Sequence, residues 1–129
     1  MFELRVRSSF AAAHRLNKYV DKCSRLHGHT WEVEVVVAGP ELNDAGMLVD
    51  FSRIRKDLRQ VLDGLDHGYL NDLPPFADFD SALNPTAENI ARHIFVELKR
   101  LLADYEPNAA LSSVTVWESP TGAAAYREE

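Results

Sequence analysis

Two stretches near the start of the chain alternate between apolar and polar residues. In residues 2–10 the apolar side chains share one parity and the charged side chains share the other, which is typical of a half-buried antiparallel strand. A second alternation runs from His27 to Ala38. The two patterns predict a long hairpin, and His14 has the parity of the apolar set if no bulge intervenes.

Two later segments have apolar residues at helical spacing. The first is capped by Asp50 or Ser52 and is predicted to end at about residue 63. The second opens at residues 85–88, with Asn84 or Thr86 as its N-cap. The chain between the helices is predicted to be irregular.

Two short strand patterns, residues 113–118 and 123–127, follow the second helix. The predicted order is therefore β-β-α-α-β-β, a single α+β domain spanning residues 1–129. We expect a four-stranded antiparallel sheet with two helices on one face. Such a sheet has two open edges, which favour pairing between copies, so a homo-oligomer is expected.

Composition narrows the functional classes. The 129 residues are 46% hydrophobic and 26% charged, with a net charge of -6, so the chain has no basic footprint for nucleic acid. No apolar run approaches the ~20 residues that span a bilayer, and the N-terminus has no signal-peptide pattern. The single cysteine excludes an intrachain disulfide and fits a cytoplasmic protein.

The candidate chemistry begins at His27-Gly28-His29. Side chains two apart on a strand share a face, and the hairpin would bring His14 beside this pair. Three imidazoles suit zinc and leave a fourth position for substrate. Two histidines that only pack or hydrogen-bond at a strand start are the alternative interpretation.

Cys23, four residues before His27, allows two interpretations. It is either a fourth ligand in a closed structural site or a free thiol beside the metal. A thiolate ligand would weaken the Lewis acidity of zinc, whereas nearby zinc, Lys22 and Arg25 would favour a free thiolate that acts as base or nucleophile. We favour the free thiol.

Three acidic or basic groups elsewhere are further candidates. Asp66 and His67 are adjacent and can serve one site only where the backbone is irregular; otherwise they are a turn former and a loop histidine. Glu118 shares the parity of the valines in its predicted strand. A carboxylate in that position needs a partner, and it can bind the paired N–H donors of a heterocycle.

These motifs resemble the 6-pyruvoyl-tetrahydropterin synthase family across nearly the whole chain. The spacing from Cys23 to His27 resembles its bacterial branch, 6-carboxy-5,6,7,8-tetrahydropterin synthase of the queuosine pathway, and animal members have a longer gap. A related branch has Glu before His-Gly-His, where this chain has Leu26. The resemblance rests on residues 10–16, 23–29, 65–67, 84–89 and 118.

The resemblance implies the tunnelling fold, with trimers closing their sheets into a barrel and two trimers stacking as a hexamer. It implies zinc on three histidines, Cys23 as general base, and a relay offered by a neighbouring subunit. Thr86 and Glu88 would line the pterin pocket, although capping explains them equally well. The residues with implied roles are His14, His27 and His29 for metal, Cys23, Asp66 and His67 for catalysis, and Glu118 for the pterin ring.

The implied substrate is 7,8-dihydroneopterin triphosphate, which would lose triphosphate and then acetaldehyde. From charge placement alone, we expect Lys18, Lys22 and Arg25 to hold the triphosphate. The alternatives are 6-pyruvoyl-tetrahydropterin synthase, with the same site and another product, and a non-catalytic zinc-binding interaction module. A metal-free pterin aldolase of the same fold would leave three histidines unexplained.

Overall fold

The computed structural model describes residues 1–17, 25–74, 76–77, 83–105 and 107–128. Its strands and helices, in chain order, are β1 (Phe2–His14), β2 (His27–Gly39), α1 (Phe51–Asp63), β3 (Gly68–Tyr69), α2 (Ala87–Leu101), β4 (Ala110–Ser119) and β5 (Gly122–Tyr126).

The predicted hairpin is confirmed, and its register extends along both strands. β1 and β2 are antiparallel, from Phe2 opposite Gly39 to His14 opposite His27. β1 is longer than residues 2–10 because the alanines that follow Phe10 continue the pairing and the alternation in burial. With no bulge in this ladder, His14 keeps the buried parity of the apolar set.

Both helices begin where their capping signals predict. The Asp50 side chain accepts a hydrogen bond from the Ser52 N–H at the start of α1, and Thr86 accepts one from the Asn89 N–H at the start of α2. α1 packs against β1, and α2 packs against β4 and β5. The apolar stripes of the helices and the inner face of the sheet therefore form one core.

The sheet has five strands in the order β3-β1-β2-β4-β5. The four long strands are antiparallel neighbours, as predicted, and the additional β3 is two residues long and parallel to β1. Sequence reasoning missed β3 because two residues are too few to show alternation. It lies within the segment that was predicted to be irregular.

Both edges of the sheet are largely open among the described residues. β5 has no strand on its outer side, and β1 pairs outward only where Ala12 and Ala13 meet β3. Neither helix in this part of the chain is long and apolar enough to cross a membrane.

Candidate metal centre

The hairpin brings three imidazoles together at one end of the sheet. His14 and His27 are directly opposite each other, and His29 is opposite Ala12. The ring centroids of the three histidines are 4.5, 5.2 and 4.8 Å apart. This is the placement that the strand parity predicts.

Backbone carbonyls orient two of the rings. His14 Nδ1 lies 2.7 Å from the Pro85 carbonyl oxygen, and His27 Nδ1 lies 2.7 Å from that of Arg25. A carbonyl oxygen only accepts hydrogen bonds, so each Nδ1 carries the hydrogen and each neutral ring has a bare Nε2. These two Nε2 atoms are 2.9 Å apart, a contact between lone pairs that a shared proton or a cation would make favourable.

Glu118 joins the same group. Its Oε1 lies 3.3 Å from Nε2 of His14 and 3.3 Å from Nε2 of His29. The His29 Nε2 is buried and makes no hydrogen bond to the described residues, since the carboxylate approaches outside hydrogen-bond geometry. One ligand atom from each of the four residues lies within 4.8 Å of the others, so the group can hold a metal ion.

Burial favours the neutral form of His14 and of His29. Burial is the main cause that lowers the pKa of His14 and of His29 below the ordinary value, and the adjacent His27 lowers both further. The Glu118 carboxylate opposes this shift at both rings. Neutral imidazole is the form that binds a cation, so burial of these two rings favours the metal-binding form.

Trp31 forms a rigid base beneath the cluster. It is fully buried, and its Nε1 donates a hydrogen bond of 3.2 Å to the Ala12 carbonyl. Its ring meets His14 and His29 edge to face, with centroids 4.9 and 5.1 Å apart. The rings are therefore held by packing as well as by hydrogen bonds, which is how a preorganised metal site is built.

Asp66 and His67 lie together on the outer edge of β1. The Asp66 carboxylate accepts a hydrogen bond of 2.8 Å from the Ala11 N–H and lies 3.0 Å from His67 Nδ1. The hydrogen bond from the Ala11 N–H is the main cause of the lowered pKa of Asp66, and His67 lowers this pKa further. His67 has a left-handed φ of 58°, so the backbone is irregular where the sequence argument required it to be.

Two clefts meet at His29. The larger, of about 780 Å³, also contains Arg7, Trp117 and Glu118, and the Arg7 guanidinium lies 4.7 Å from the centre of the Trp117 ring. A shallower cleft of about 460 Å³ extends from His29 across small residues to His67, whose side chain is 84% exposed. Their volumes are in the range of small-molecule sites.

The other predicted site residues are placed as follows. Thr86 caps α2, and Glu88 is exposed in the first turn of that helix. Arg25 is exposed and its carbonyl orients His27. Lys18, Lys22 and Cys23 lie outside the described residues, so their roles stay predictions.

Sequence reasoning missed the Pro85 carbonyl that orients His14, because a backbone carbonyl carries no side-chain signature. From the sequence, the side chain of Asn84 was considered as a helix cap. In the structure this side chain instead hydrogen-bonds to the backbone of Asn17.

The sequence of the chain is similar to those of known proteins. Residues 3–129 match the family model described as 6-pyruvoyl tetrahydropterin synthase. A Bacillus subtilis protein named 6-carboxy-5,6,7,8-tetrahydropterin synthase is 38% identical over 127 residues, covering 98% of this chain and 85% of the relative. A Pyrococcus furiosus protein named dihydroneopterin monophosphate aldolase is 35% identical over 112 residues, covering 87% of this chain and 85% of the relative.

The backbone is similar to a solved structure as well. The structure of Caenorhabditis elegans 6-pyruvoyl tetrahydropterin synthase superimposes with a TM-score of 0.83 at 28% identity, covering 99% of this chain and 96% of that one. The chain therefore has the tunnelling fold that the sequence resemblance implied.

Proposed function

We propose that this chain, which belongs to the 6-pyruvoyl tetrahydropterin synthase family, is a zinc-dependent 6-carboxy-5,6,7,8-tetrahydropterin synthase. It would convert 7,8-dihydroneopterin triphosphate and water to 6-carboxytetrahydropterin with release of triphosphate and acetaldehyde, in queuosine biosynthesis. The relative from Bacillus subtilis has this name, and it aligns with nearly the full length of the chain.

The observation that carries the proposal is the short distance between the Nε2 atoms of His14 and His27. The Nδ1 hydrogen of each ring is already bonded to a backbone carbonyl. Two ligands at about 2.0–2.1 Å from zinc on neighbouring tetrahedral corners are about 3.3 Å apart. The separations between the ligand atoms of this group include values of 2.9, 3.3 and 3.3 Å. The donor set and its spacing therefore suit zinc held by His14, His27 and His29, with Glu118 Oε1 close to the position of the fourth ligand.

Zinc bound there would polarise the side-chain hydroxyls of the substrate and acidify the neighbouring C–H bonds. Cys23 would accept a proton from the side chain. The Asp66–His67 pair would complete the proton relay, with Asp66 orienting the ring of His67 at 3.0 Å. The exposure of His67 supports this role because a relay group must reach substrate.

Glu118 would anchor the pterin ring. A carboxylate accepts the two parallel N–H donors of a guanidine-like edge, and the cleft of about 780 Å³ beside it has room for such a ring. Thr86 and Glu88 would line the pocket. Lys22 and Arg25, with Lys18, would hold the triphosphate.

The assembly would be a homo-oligomer, a hexamer built as a dimer of trimers. The open edges of β1 and β5 support it, because edge strands expose unpaired backbone groups that another copy can pair. Asp66 and His67 lie on the β1 edge. The family resemblance implies that edge-to-edge pairing brings this relay to the metal site of a neighbouring copy.

Product analysis of the full-length zinc-loaded protein with 7,8-dihydroneopterin triphosphate tests the proposal. We expect 6-carboxytetrahydropterin and acetaldehyde in equal amounts. Turnover to a pyruvoyl product without acetaldehyde would assign the chain to 6-pyruvoyl-tetrahydropterin synthase, the function named for the solved relative. Stoichiometric zinc without turnover would favour a zinc-binding interaction module, and aldol cleavage without zinc would favour the aldolase named for the Pyrococcus relative.

A further inference from the structure

A basic cleft borders the outer edge of β1. It has a volume of about 390 Å³ and lies between residues 6–8 of β1 and three cations of α1, Arg55, Lys56 and Arg59. Arg55 and Lys56 are exposed, and Lys56 forms no ion pair with the described residues. The chain as a whole has a net charge of -6, so this positive charge is a local feature of one edge.

The edge of β1 is open where it runs beside this basic cleft. Further along, groups of the same chain bind the strand. The Asp66 carboxylate accepts the Ala11 N–H at 2.8 Å, the His67 N–H binds the Ala11 carbonyl at 2.6 Å, and Arg59 binds the Ser9 carbonyl at 2.9 Å. No described strand pairs outward with β1 before Ala12. The part of the edge before Ser9 is therefore available to a strand of another chain.

The opposite edge of the sheet carries a carboxylate. Glu128 lies two residues after the end of β5, and its Oε1 accepts a hydrogen bond of 2.7 Å from the Lys99 Nζ of α2. Arg92 and Val96 are exposed on the same face of α2 as Lys99, since residues four and seven apart share a helix face. Glu128 thus places negative charge beside two cations at the outer edge of the sheet.

The basic cleft and the end of β5 lie at the same height in the sheet. Val6 is opposite Val35, Val35 is opposite Val114, and Val114 is opposite Tyr126. α1 packs against β1, and α2 packs against β4 and β5. When β5 of one copy pairs with β1 of another, α2 of the first therefore comes beside α1 of the second, and both helices bring cations to the seam.

Charge distinguishes the ways in which the two open edges can pair. Pairing β1 with β1 sets two basic clefts against each other, which like-charge repulsion opposes. Pairing β5 with β5 leaves the basic cleft of both copies without a counter-charge. Pairing β5 with β1 brings Glu128 to Arg55 and Lys56. This last arrangement is head-to-tail, so it repeats from copy to copy and leaves no open edge when a ring closes.

We propose that Glu128 of one copy binds Arg55 and Lys56 in the basic cleft of the next copy, and that this contact selects the pairing of β5 with β1. The inference rests on the homo-oligomer of the proposed function and adds the residues that set the direction of assembly. A carboxylate accepts several hydrogen bonds. Glu128 therefore keeps its bond to Lys99 while it binds the neighbouring cations.

The test reverses the charge at each end of this contact in the full-length protein, with Glu128→Lys, Lys56→Glu and the double variant. Glu97→Lys is the matched control, because Glu97 also forms an ion pair within α2, with Arg100 at 3.1 Å. It lines a cleft between α1 and α2 of its own chain and not an open edge. Sedimentation velocity over a dilution series gives the dissociation constant of the oligomer, and circular dichroism verifies that each variant is folded.

We expect Glu128→Lys to raise this dissociation constant by about 100-fold or more, because a third set of cations then enters a seam that already holds two. Lys56→Glu should also raise it, since the new carboxylate meets Glu128. The double variant restores opposite charges and should return to within about 10-fold of the unsubstituted protein. Glu97→Lys should leave the dissociation constant unchanged.

Two results would overturn the contact. Tighter association of Lys56→Glu would show that two basic clefts face each other, as in pairing of β1 with β1. A double variant that associates no better than the single variants would show that the two residues do not meet.

Failure of this inference is distinguishable from failure of the proposed function. An unsubstituted protein that stays monomeric at every concentration would refute the proposed assembly together with the contact, and a different partner would then cover the edge. If the unsubstituted protein forms oligomers and makes the expected product, but Glu128→Lys associates equally well, the proposed function stands and only the contact is overturned.

Discussion

The Glu118 carboxylate lies 3.3 Å from the Nε2 atom of His29, a buried nitrogen that has no hydrogen-bond partner among the described residues. The same oxygen is 3.3 Å from His14. The carboxylate thus reaches the position that a fourth ligand would take, whereas the sequence resemblance implies that it binds the pterin ring. The two roles predict different zinc contents for a Glu118 variant in the absence of substrate.

Replacement of Glu118 by glutamine separates the two roles. If Glu118 anchors the pterin, Glu118→Gln keeps one zinc per chain and raises KM by about 10- to 100-fold, the worth of a hydrogen bond to a charged group. Glu32→Gln is the matched control, because Glu32 lines the same cleft. Loss of zinc from Glu118→Gln would instead make this carboxylate a metal ligand.

Cys23→Ala tests whether the thiol is catalytic. If Cys23 is the general base, it would contribute about 10²–10⁴-fold to turnover, so kcat should fall by that factor while zinc content and melting temperature are unchanged. Metal analysis, thermal denaturation and steady-state kinetics on one preparation check it. A variant that loses zinc and stability together would show a closed structural site.

The stability of the metal-free protein should decrease as the pH falls below about 6.5, the ordinary pKa of histidine. Burial lowers the pKa of His14, His29 and His93 in the folded chain. Below the unfolded value, the unfolded chain therefore binds more protons, and stability is lost by up to about 1.4 kcal/mol per pH unit for each histidine.

Urea unfolding of the metal-free protein between about pH 7.5 and 5.5 measures this slope. His93→Gln removes one contribution without touching the metal group and should make the slope shallower. A free energy of unfolding that stays constant or rises over this range would contradict the assignment of neutral, buried histidines.

Mixing two inactive variants tests the shared site. His27→Ala removes a proposed metal ligand, and His67→Ala removes a proposed relay group. If His67 serves the neighbouring copy, hybrid oligomers contain sites with both groups intact and should regain about a quarter of the activity, since each such site needs one copy of each kind. Hybrids that form by native mass spectrometry yet stay inactive would place the relay within its own chain.

Strand parity was enough to predict the centre of this site. His14, His27 and His29 lie on the apolar parity of two strands that pair without a bulge, so the alternation alone aligns the rings. The capping signals of Asp50 and Thr86 likewise act within a few residues of each helix start. Such features are local, and local features can be read from sequence.

The supporting contacts could not be predicted because they join distant parts of the chain. The amide of Asn71 reaches Arg15 across 56 positions, and that of Asn84 reaches Asn17 across 67. Asparagine before a helix is equally consistent with a cap, so its type does not distinguish the two roles. The left-handed φ of His67 likewise occurs where its N–H donates a hydrogen bond to the distant Ala11 carbonyl of β1.

X-ray absorption at the zinc edge of the full-length loaded protein tests the central claim most directly. Zn–N and Zn–S distances differ clearly, at about 2.0–2.1 and about 2.3 Å. We expect only nitrogen and oxygen neighbours, including three imidazoles, and an unchanged spectrum for Cys23→Ser. A sulfur neighbour at about 2.3 Å that disappears in Cys23→Ser would contradict the account, because the thiol would then be a ligand and not a base.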